Sequence, residues 1–541
     1  MSETLLPGAS MVIPLPSEVQ PGEGRFAVGG DTVIAAPPAL EKIAGFLQHT
    51  IRRESALSLK IVPEARENAL RLQLDPALPG AGAEGYRLTV DLSGVTIRAK
   101  TEAGLFYGAQ TLRQMLPPAE RGGGDKTAVI PCLEIDDRPR FQWRGFMLDV
   151  ARHFSSVAAV KQLIDALALL KMNVLHLHLC DDQGWRMEIE RYPRLVEVGA
   201  SRPETQVGGV LGRKKDGIPH SGYFTKDNLR EIIAYAGARF ITVVPEIEMP
   251  GHCRAALAAY PGLGCTGGPY SVSTTAGIKK DIYCAGQEAV FSFLQGVLDE
   301  VIALFPSPWI HIGGDEAPKN RWRACPRCQE RIAAEGLRDE RELQAYFIRR
   351  MARYIEEKGR RVIGWNEILS GDLPPSVTVQ HWLGGKKGVR RHLRRGGRII
   401  GSYFFYSYLD YNHGFLPLSK VYAYDPVPRG LEPRYRKNVI GIETPLWTET
   451  ASTLQRRQAF VFPRLVAAAE NNWTAPGPQR HFQGFLARLP LLLGRLRRLG
   501  ISHTGVQAAQ PAPLKRLFLW AKMPRQSGIM PEGVEKGDPS P

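Results

Sequence analysis

From Phe141 onward the chain alternates short runs of apolar and β-branched residues with amphipathic helical stretches, and this alternation limits the fold more than any other feature. Eight runs read as strands: Trp143–Val150, Asn173–Leu179, Phe240–Pro245, Trp309–Ile312, Arg361–Trp365, Val377–Trp382, Ile399–Phe404 and Val439–Glu443. Helical spacing intervenes at Ala158–Leu170, Lys226–Ala238, Glu288–Phe305 and Glu342–Glu357. Strands separated by helix-length crossovers pair in parallel, because a tight turn can only reverse the chain. Eight such units predict an α/β fold, a (β/α)8 barrel with loop insertions, rather than an open sheet. No Gly-rich dinucleotide fingerprint follows any of the eight.

The rest of the chain divides around that barrel. Residues 1–138 read as a small α+β domain, in which Tyr86–Leu92 and Gly94–Ala99 form a hairpin and Thr101–Leu116 a helix ended by Pro117-Pro118. Glu120–Lys126 is expected as a loop within it. The barrel domain spans 139–500 and closes with a helix at Phe482–Leu499, whose Arg488, Arg495, Arg497 and Arg498 are expected on its exposed side. Residues 501–541 form a tail that docks through Leu517-Phe-Leu-Trp520, its last ~15 residues disordered on composition.

Composition excludes several classes. A 43% apolar fraction is that of a globular chain, and no window carries the ~18 uninterrupted apolar residues of a membrane span. The N-terminus has early prolines and neither a basic stretch nor a long apolar core, so the chain as written reads as cytoplasmic; a processed piece would be secreted or periplasmic. The net charge of +16 concentrates at Lys386, Lys387, Arg390, Arg391, Arg394, Arg395 and Arg398, without interleaved aromatics. That pattern is a solvated outer helix, not a nucleic-acid surface. Seven cysteines make no disulfide framework. Cys325-Pro-Arg-Cys328 is a lone CxxC whose second half-site is missing, so no metal and no cofactor are expected. Cys265 and Cys284 flank a Gly/Ser/Thr-rich loop and would pair only in an exported protein.

Function is legible where the strands end. The runs lead in order into Arg152, Asp181-Asp182, Glu246 and Glu248, Asp315-Glu316, Trp365 and Glu367, Trp382, Tyr408 and Asp410, and Trp447 and Glu449. In a barrel these positions share one mouth. Carboxylates with indole walls suit sugars: the rings stack on CH-rich faces while Arg, Asp and Glu read hydroxyls. Asp315 and Glu316 are adjacent, so in a regular strand they would point to opposite sides and could not face each other across a glycosidic bond. Gly313-Gly314 permits an irregular turn that brings both inward, one as acid and one in another role.

Five ordered stretches resemble glycoside hydrolase family twenty, the β-N-acetylhexosaminidases. They are His311-Ile-Gly-Gly-Asp-Glu-Ala-Pro-Lys-Asn-Arg-Trp322, Trp143–Phe154, Lys171–Arg186, Pro245-Glu-Ile-Glu-Met-Pro-Gly-His252 and Pro445-Leu-Trp-Thr-Glu449. Val12–Pro16 and Gly104–Gln114 are similar to the small domain preceding that family's barrel. The resemblance implies exo-acting, retaining hydrolysis of terminal N-acetylhexosamine from an oligosaccharide or glycoconjugate. In that scheme the substrate's own acetamido oxygen attacks the anomeric carbon and gives an oxazolinium intermediate. It implies Glu316 as general acid and then base, Asp315 orienting the acetamido nitrogen, and Tyr408 bonding the acetamido oxygen. Trp365, Trp382 and Trp447 become walls, Arg152, Asp410 and Glu449 hydroxyl readers, and Asp181 and His252 a relay behind the acid. Two departures stand out: Glu248 where the family usually has Asp, and Cys180 where Ser or Thr is more usual, the latter expected to affect only packing. Homo-oligomer formation stays open. The rivals are a metal-dependent amidohydrolase using His176 and His178, a two-carboxylate glycosidase with Asp181 or Glu248 as nucleophile, and a non-catalytic sugar-binding barrel.

Overall fold

The computed structural model describes residues 11–118, 127–209, 212–371 and 373–521; the Glu120–Lys126 loop and the last residues of the tail lie outside them. Residues 143–446 form a closed, all-parallel barrel of eight strands: Trp143–Asp149, Val174–His178, Thr242–Glu246, Trp309–His311, Arg361–Trp365, Thr378–His381, Ile399–Gly401 and Val439–Leu446. Each corresponds to a run read from the sequence. The eighth strand pairs with the first over Gly441–Leu446, which closes the ring. The seventh is shorter than its apolar run, because Phe404–Ser407 turns into helix; the Ser402 hydroxyl donates to the Glu443 carbonyl. Helices Val157–Leu169, Lys226–Gly237, Glu288–Leu304 and Glu340–Glu357 cover the outside. The basic run lies on helix Lys386–Arg394, which buries Val389, His392 and Leu393 and leaves Arg391 and Arg394 exposed.

The N-terminal domain is a seven-stranded sheet with the Tyr86–Asp91 and Gly94–Ala99 hairpin at its centre. Asp91 makes the turn by accepting from the Ser93 and Gly94 amides. Helix Glu102–Met115, capped by Thr101, is buried nearly all round because it lies between this sheet and the barrel. Phe106 packs on Phe240 at 5.3 Å and Tyr107 on Trp473 at 5.2 Å between ring centres. The buried ion pair Lys171–Asp137 and the half-buried pair Arg144–Glu84 cross the same seam.

Helix Phe482–Arg498 differs from expectation. Arg497 and Arg498 are exposed, but Arg488 and Arg495 are buried. Arg488 donates to both carboxylate oxygens of Glu470 and to the Val12 carbonyl. Arg495 donates to Glu54 and to the Gln114 and Leu116 carbonyls. The helix closes the seam between two domains, so it has two buried faces instead of one. The tail docks at Leu519, whose carbonyl accepts from Asn412 and whose Cβ lies against Gly414. Cys265 and Cys284 do not pair. They stand beside Cys325 and Cys328 and supply the half-site that the spacing lacked. Among the described residues no helix is long and apolar enough to cross a membrane.

Candidate active site

The barrel interior is charged. His176 bridges Glu443 (Nδ1, 2.8 Å) and Glu246 (Nε2, 3.1 Å), while His178 bridges Glu246 (Nδ1, 2.5 Å) and Asp181 (Nε2, 2.9 Å). Residues two apart on one strand share a face, which is why both histidines point inward. Burial alone would pull both imidazoles down, but the facing carboxylates override it and push His176 up to about 10 and His178 to about 9. Both are imidazolium at neutral pH, and each ring nitrogen faces a carboxylate. Glu246 also accepts from Trp365 Nε1 at 2.9 Å, which locks that indole at the mouth.

Above this layer the relay reaches the acid. Asp181 is fully buried and engaged on both oxygens: Oδ2 meets Arg152 Nη2 at 2.6 Å, and Oδ1 meets His252 Nδ1 at 3.2 Å and the Asp182 amide at 2.6 Å. Burial disfavours its charge, yet Arg152 and His252 hold it well below the usual carboxylate range. His252 would likewise be lowered by burial, and Asp181 instead keeps it well above the ordinary imidazole value. Its Nε2 stands 3.7 Å from both Asp315 Oδ2 and Glu316 Oε2. A single imidazolium therefore faces both adjacent carboxyls.

That geometry requires a bent backbone. Gly313 and Gly314 have φ of 63° and 99°, and Glu316 and His252 are themselves left-handed at 44° and 47°. For residues with a Cβ this conformation costs roughly 1–3 kcal/mol each, and it is held here by surrounding packing. Burial, with Asp315 as like-charged neighbour, pushes Glu316 up to about 7 against the lowering effect of His252. Burial also raises Asp315. Glu316 remains reachable, its side chain 26% exposed.

The remaining predicted residues ring the same opening. Trp382 and Tyr408 stack at 5.9 Å, and Trp447 lies 5.9 Å from Trp365 and 6.2 Å from Tyr408. Arg152 sits 4.8 Å over the Trp447 ring and 3.8 Å from Glu449. Burial, with Glu449 close by, pushes Asp410 up to about 8. Glu246 and Glu248, expected at the mouth, are not at the opening: Glu246 lies in the barrel interior against His176 and His178. Glu248 is buried beneath Gly313, where an added Cβ would meet its Oε2 at 1.7 Å, and burial, with Asp315 and Glu246 close by, pushes its carboxyl well above the ordinary range. Cys180 does more than pack, since its Sγ accepts from the Glu248 amide at 3.2 Å.

Three contributors carry no role in the sequence reading. Asp149 accepts from the Arg152 and Thr448 amides and ties the first strand end to the eighth. Glu367 accepts from Trp382 Nε1 at 2.8 Å and fixes that indole. Gln183 holds Arg152 Nε at 3.1 Å. Glu367 was visible as a strand-end acid; Asp149 and Gln183 lie inside the Trp143–Phe154 and Lys171–Arg186 stretches, where no spacing sets them apart from their neighbours.

Residues 141–476 match the glycosyl hydrolase family 20 catalytic domain, and residues 9–138 match glycosyl hydrolase family 20, domain 2. The chain belongs to family 20. It is 42% identical over 508 residues to a beta-hexosaminidase of Porphyromonas gingivalis, covering 91% of this chain and 64% of that longer protein. A beta-hexosaminidase of Akkermansia muciniphila is 36% identical over 81% of this chain and 90% of its own length. Among solved structures, the Streptomyces plicatus N-acetyl-beta-hexosaminidase in complex with Thio-NAglucal aligns with a TM-score of 0.79 at 32% identity, covering 92% of this chain and 96% of that one. In this family 20 barrel the Glu248 carboxyl lies under Gly313, while Asp315 and Glu316 both stand 3.7 Å from His252 Nε2.

Proposed function

We infer that this family 20 protein is an exo-acting, retaining β-N-acetylhexosaminidase that removes terminal N-acetylhexosamine from glycans with the help of the substrate's own acetamido group. The observation that carries the reading is a protonated acid without an opposed protein nucleophile. Glu316 holds its proton up to about pH 7 at the mouth, as a group that protonates a leaving sugar oxygen must. The candidate nucleophiles are both unfit. Asp181 is spent on Arg152, His252 and His178, and Glu248 is buried behind Gly313, where burial and its carboxylate neighbours raise its proton affinity. The nucleophile is then the acetamido oxygen, with Asp315 beside it. Positive charge developing on the acetamido group draws down the proton affinity of Asp315 as the ring closes, an interaction stronger in the transition state than in the ground state.

The other assignments are those that the family resemblance implies. Trp365, Trp382 and Trp447 enclose the sugar, Tyr408 bonds the acetamido oxygen, and Arg152, Asp410 and Glu449 read ring hydroxyls. Glu316 then takes a proton from the water that opens the oxazolinium ion, passing from acid to base. The amidohydrolase reading would need histidines at the later strand ends, where Trp365 and Tyr408 stand instead. Turnover of an aryl β-N-acetylglucosaminide and of the matching β-glucoside tests the reading. Turnover of the first with almost none of the second is expected; comparable rates on both contradict it.

A further inference from the structure

Away from the mouth, two loops bring four cysteines together. Cys265 and Cys284 lie on the long loop that follows the third barrel strand and carries His252. A backbone bridge between Gly264 and Tyr283, with the Cys284 amide donating to the Leu263 carbonyl at 2.9 Å, sets the two side by side. Cys325 and Cys328 lie on the loop after the fourth strand, the one that carries Asp315 and Glu316. Cys325 is the residue before helix Pro326–Ala334 and Cys328 is in that helix's first turn. Gly286 lets the two loops meet: a Cβ there would fall 2.2 Å from the Arg327 carbonyl oxygen and 2.6 Å from the Cys328 nitrogen.

The four sulfurs all lie within 4.8 Å of one another. Cys284 Sγ is 3.7 Å from Cys328 Sγ and 3.8 Å from Cys325 Sγ, and Cys265 Sγ is 3.9 Å from Cys328 Sγ. Tetrahedral zinc with Zn–S bonds of ~2.3 Å places its sulfurs ~3.8 Å apart. Cys284 is as close to one partner as to the other, so no two sulfurs stand out as a pair, which is the pattern of four ligands around one centre. Three of the four cysteines are buried and the fourth is partly so.

We propose that Cys265, Cys284, Cys325 and Cys328 bind one zinc ion that staples the loop bearing His252 to the loop bearing Glu316. Binding exchanges four thiol protons, released to solvent, for one Zn²⁺, leaving a tetrathiolate centre of charge −2 with no position open to water. A closed site of this kind is structural, not catalytic. Its neighbours tie the same two loops: Trp322 Nε1 donates to the Tyr283 carbonyl at 2.8 Å, and Asp281 pairs with both Arg254 and Arg321.

The test is metal and thiol analysis of the purified full chain, carrying no histidine tag and produced in zinc-supplemented medium. About one zinc per chain is expected by mass spectrometry, released together with four reactive thiols on titration with an organomercurial. Cys284→Ser and Cys328→Ser should lose the zinc and melt at lower temperature, whereas Cys132→Ser, remote from the cluster, should retain it. Less than a tenth of an equivalent of metal in the wild type overturns the proposal, whether the four thiols are then free or oxidised to disulfides. Iron in place of zinc overturns the assignment of the ion. Because the wild-type metal content decides the matter, a variant that fails to fold does not shield the proposal.

Discussion

Substituting His252 by Gln removes the cation 3.7 Å from Glu316 while keeping a polar side chain of similar reach. Two unit charges at that separation interact by about 4 kcal/mol at an effective dielectric of 20. Glu316 is partly solvated, so about half of that, roughly 2 kcal/mol, is a reasonable contribution; at 1.36 kcal/mol per unit this corresponds to ~1.5 units of pKa. The sign follows from the role. Glu316 must carry a proton to act, so with its pKa raised to about 7 the wild-type enzyme is competent below that pH and fades above it. Removing an imidazolium that favours the carboxylate raises the pKa further, and the basic limb of kcat/KM should move upward by one to two pH units. The assay is a kcat/KM profile on a disaccharide, whose sugar leaving group needs protonation, between pH 4 and 9. A limb that stays within ~0.3 unit of the wild type, or moves to lower pH, would refute a charged His252 beside the acid.

Three further outcomes follow from the same geometry. Glu316→Gln should lower turnover of the disaccharide by about 10²–10⁴, with a much smaller loss on an aryl glycoside whose leaving group needs no proton; equal losses would argue against the acid assignment. Asp181→Asn leaves buried Arg152 and His252 without their shared counter-charge, and thermal or denaturant unfolding should show a loss of about 3–5 kcal/mol. Gly313→Ala places a Cβ 1.7 Å from Glu248 Oε2 on a backbone with φ of 63°; it should cost at least ~1–3 kcal/mol in stability and depress kcat more than it raises KM, read from melting curves and steady-state kinetics.

Much of this arrangement was legible before the structure. All eight barrel strands stand where β-rich runs alternate with helical spacing, because parallel strands covered by helices are rich in apolar residues. Arg152, Asp315, Glu316 and the three tryptophans are readable because barrel topology delivers every strand end to one mouth, so position along the chain becomes position in space. What stayed hidden depends on contacts with no local period. Glu246 reads as a mouth acid and Glu443 as the end of an apolar run, and only the closed barrel sets both in its interior against His176. Arg488 and Arg495 follow the polar stripe of a one-faced helix, and only the second domain buries them. Glu248 belongs to a motif that ends at the mouth, yet its longer side chain turns back under Gly313. The cysteines are the plainest case. Cys265 and Cys284 stand far from Cys325 in sequence, and only the path of two long loops makes them neighbours.

The central claim is that the substrate's acetamido oxygen, not a side chain, attacks the anomeric carbon. Aryl β-glycosides of glucosamine bearing acetyl, monofluoroacetyl, difluoroacetyl and trifluoroacetyl groups on nitrogen vary the nucleophilicity of that oxygen with little change in size. Measured kcat should fall steeply and monotonically with each added fluorine. A kcat that is unchanged across the series would place the nucleophile on the protein and contradict the account.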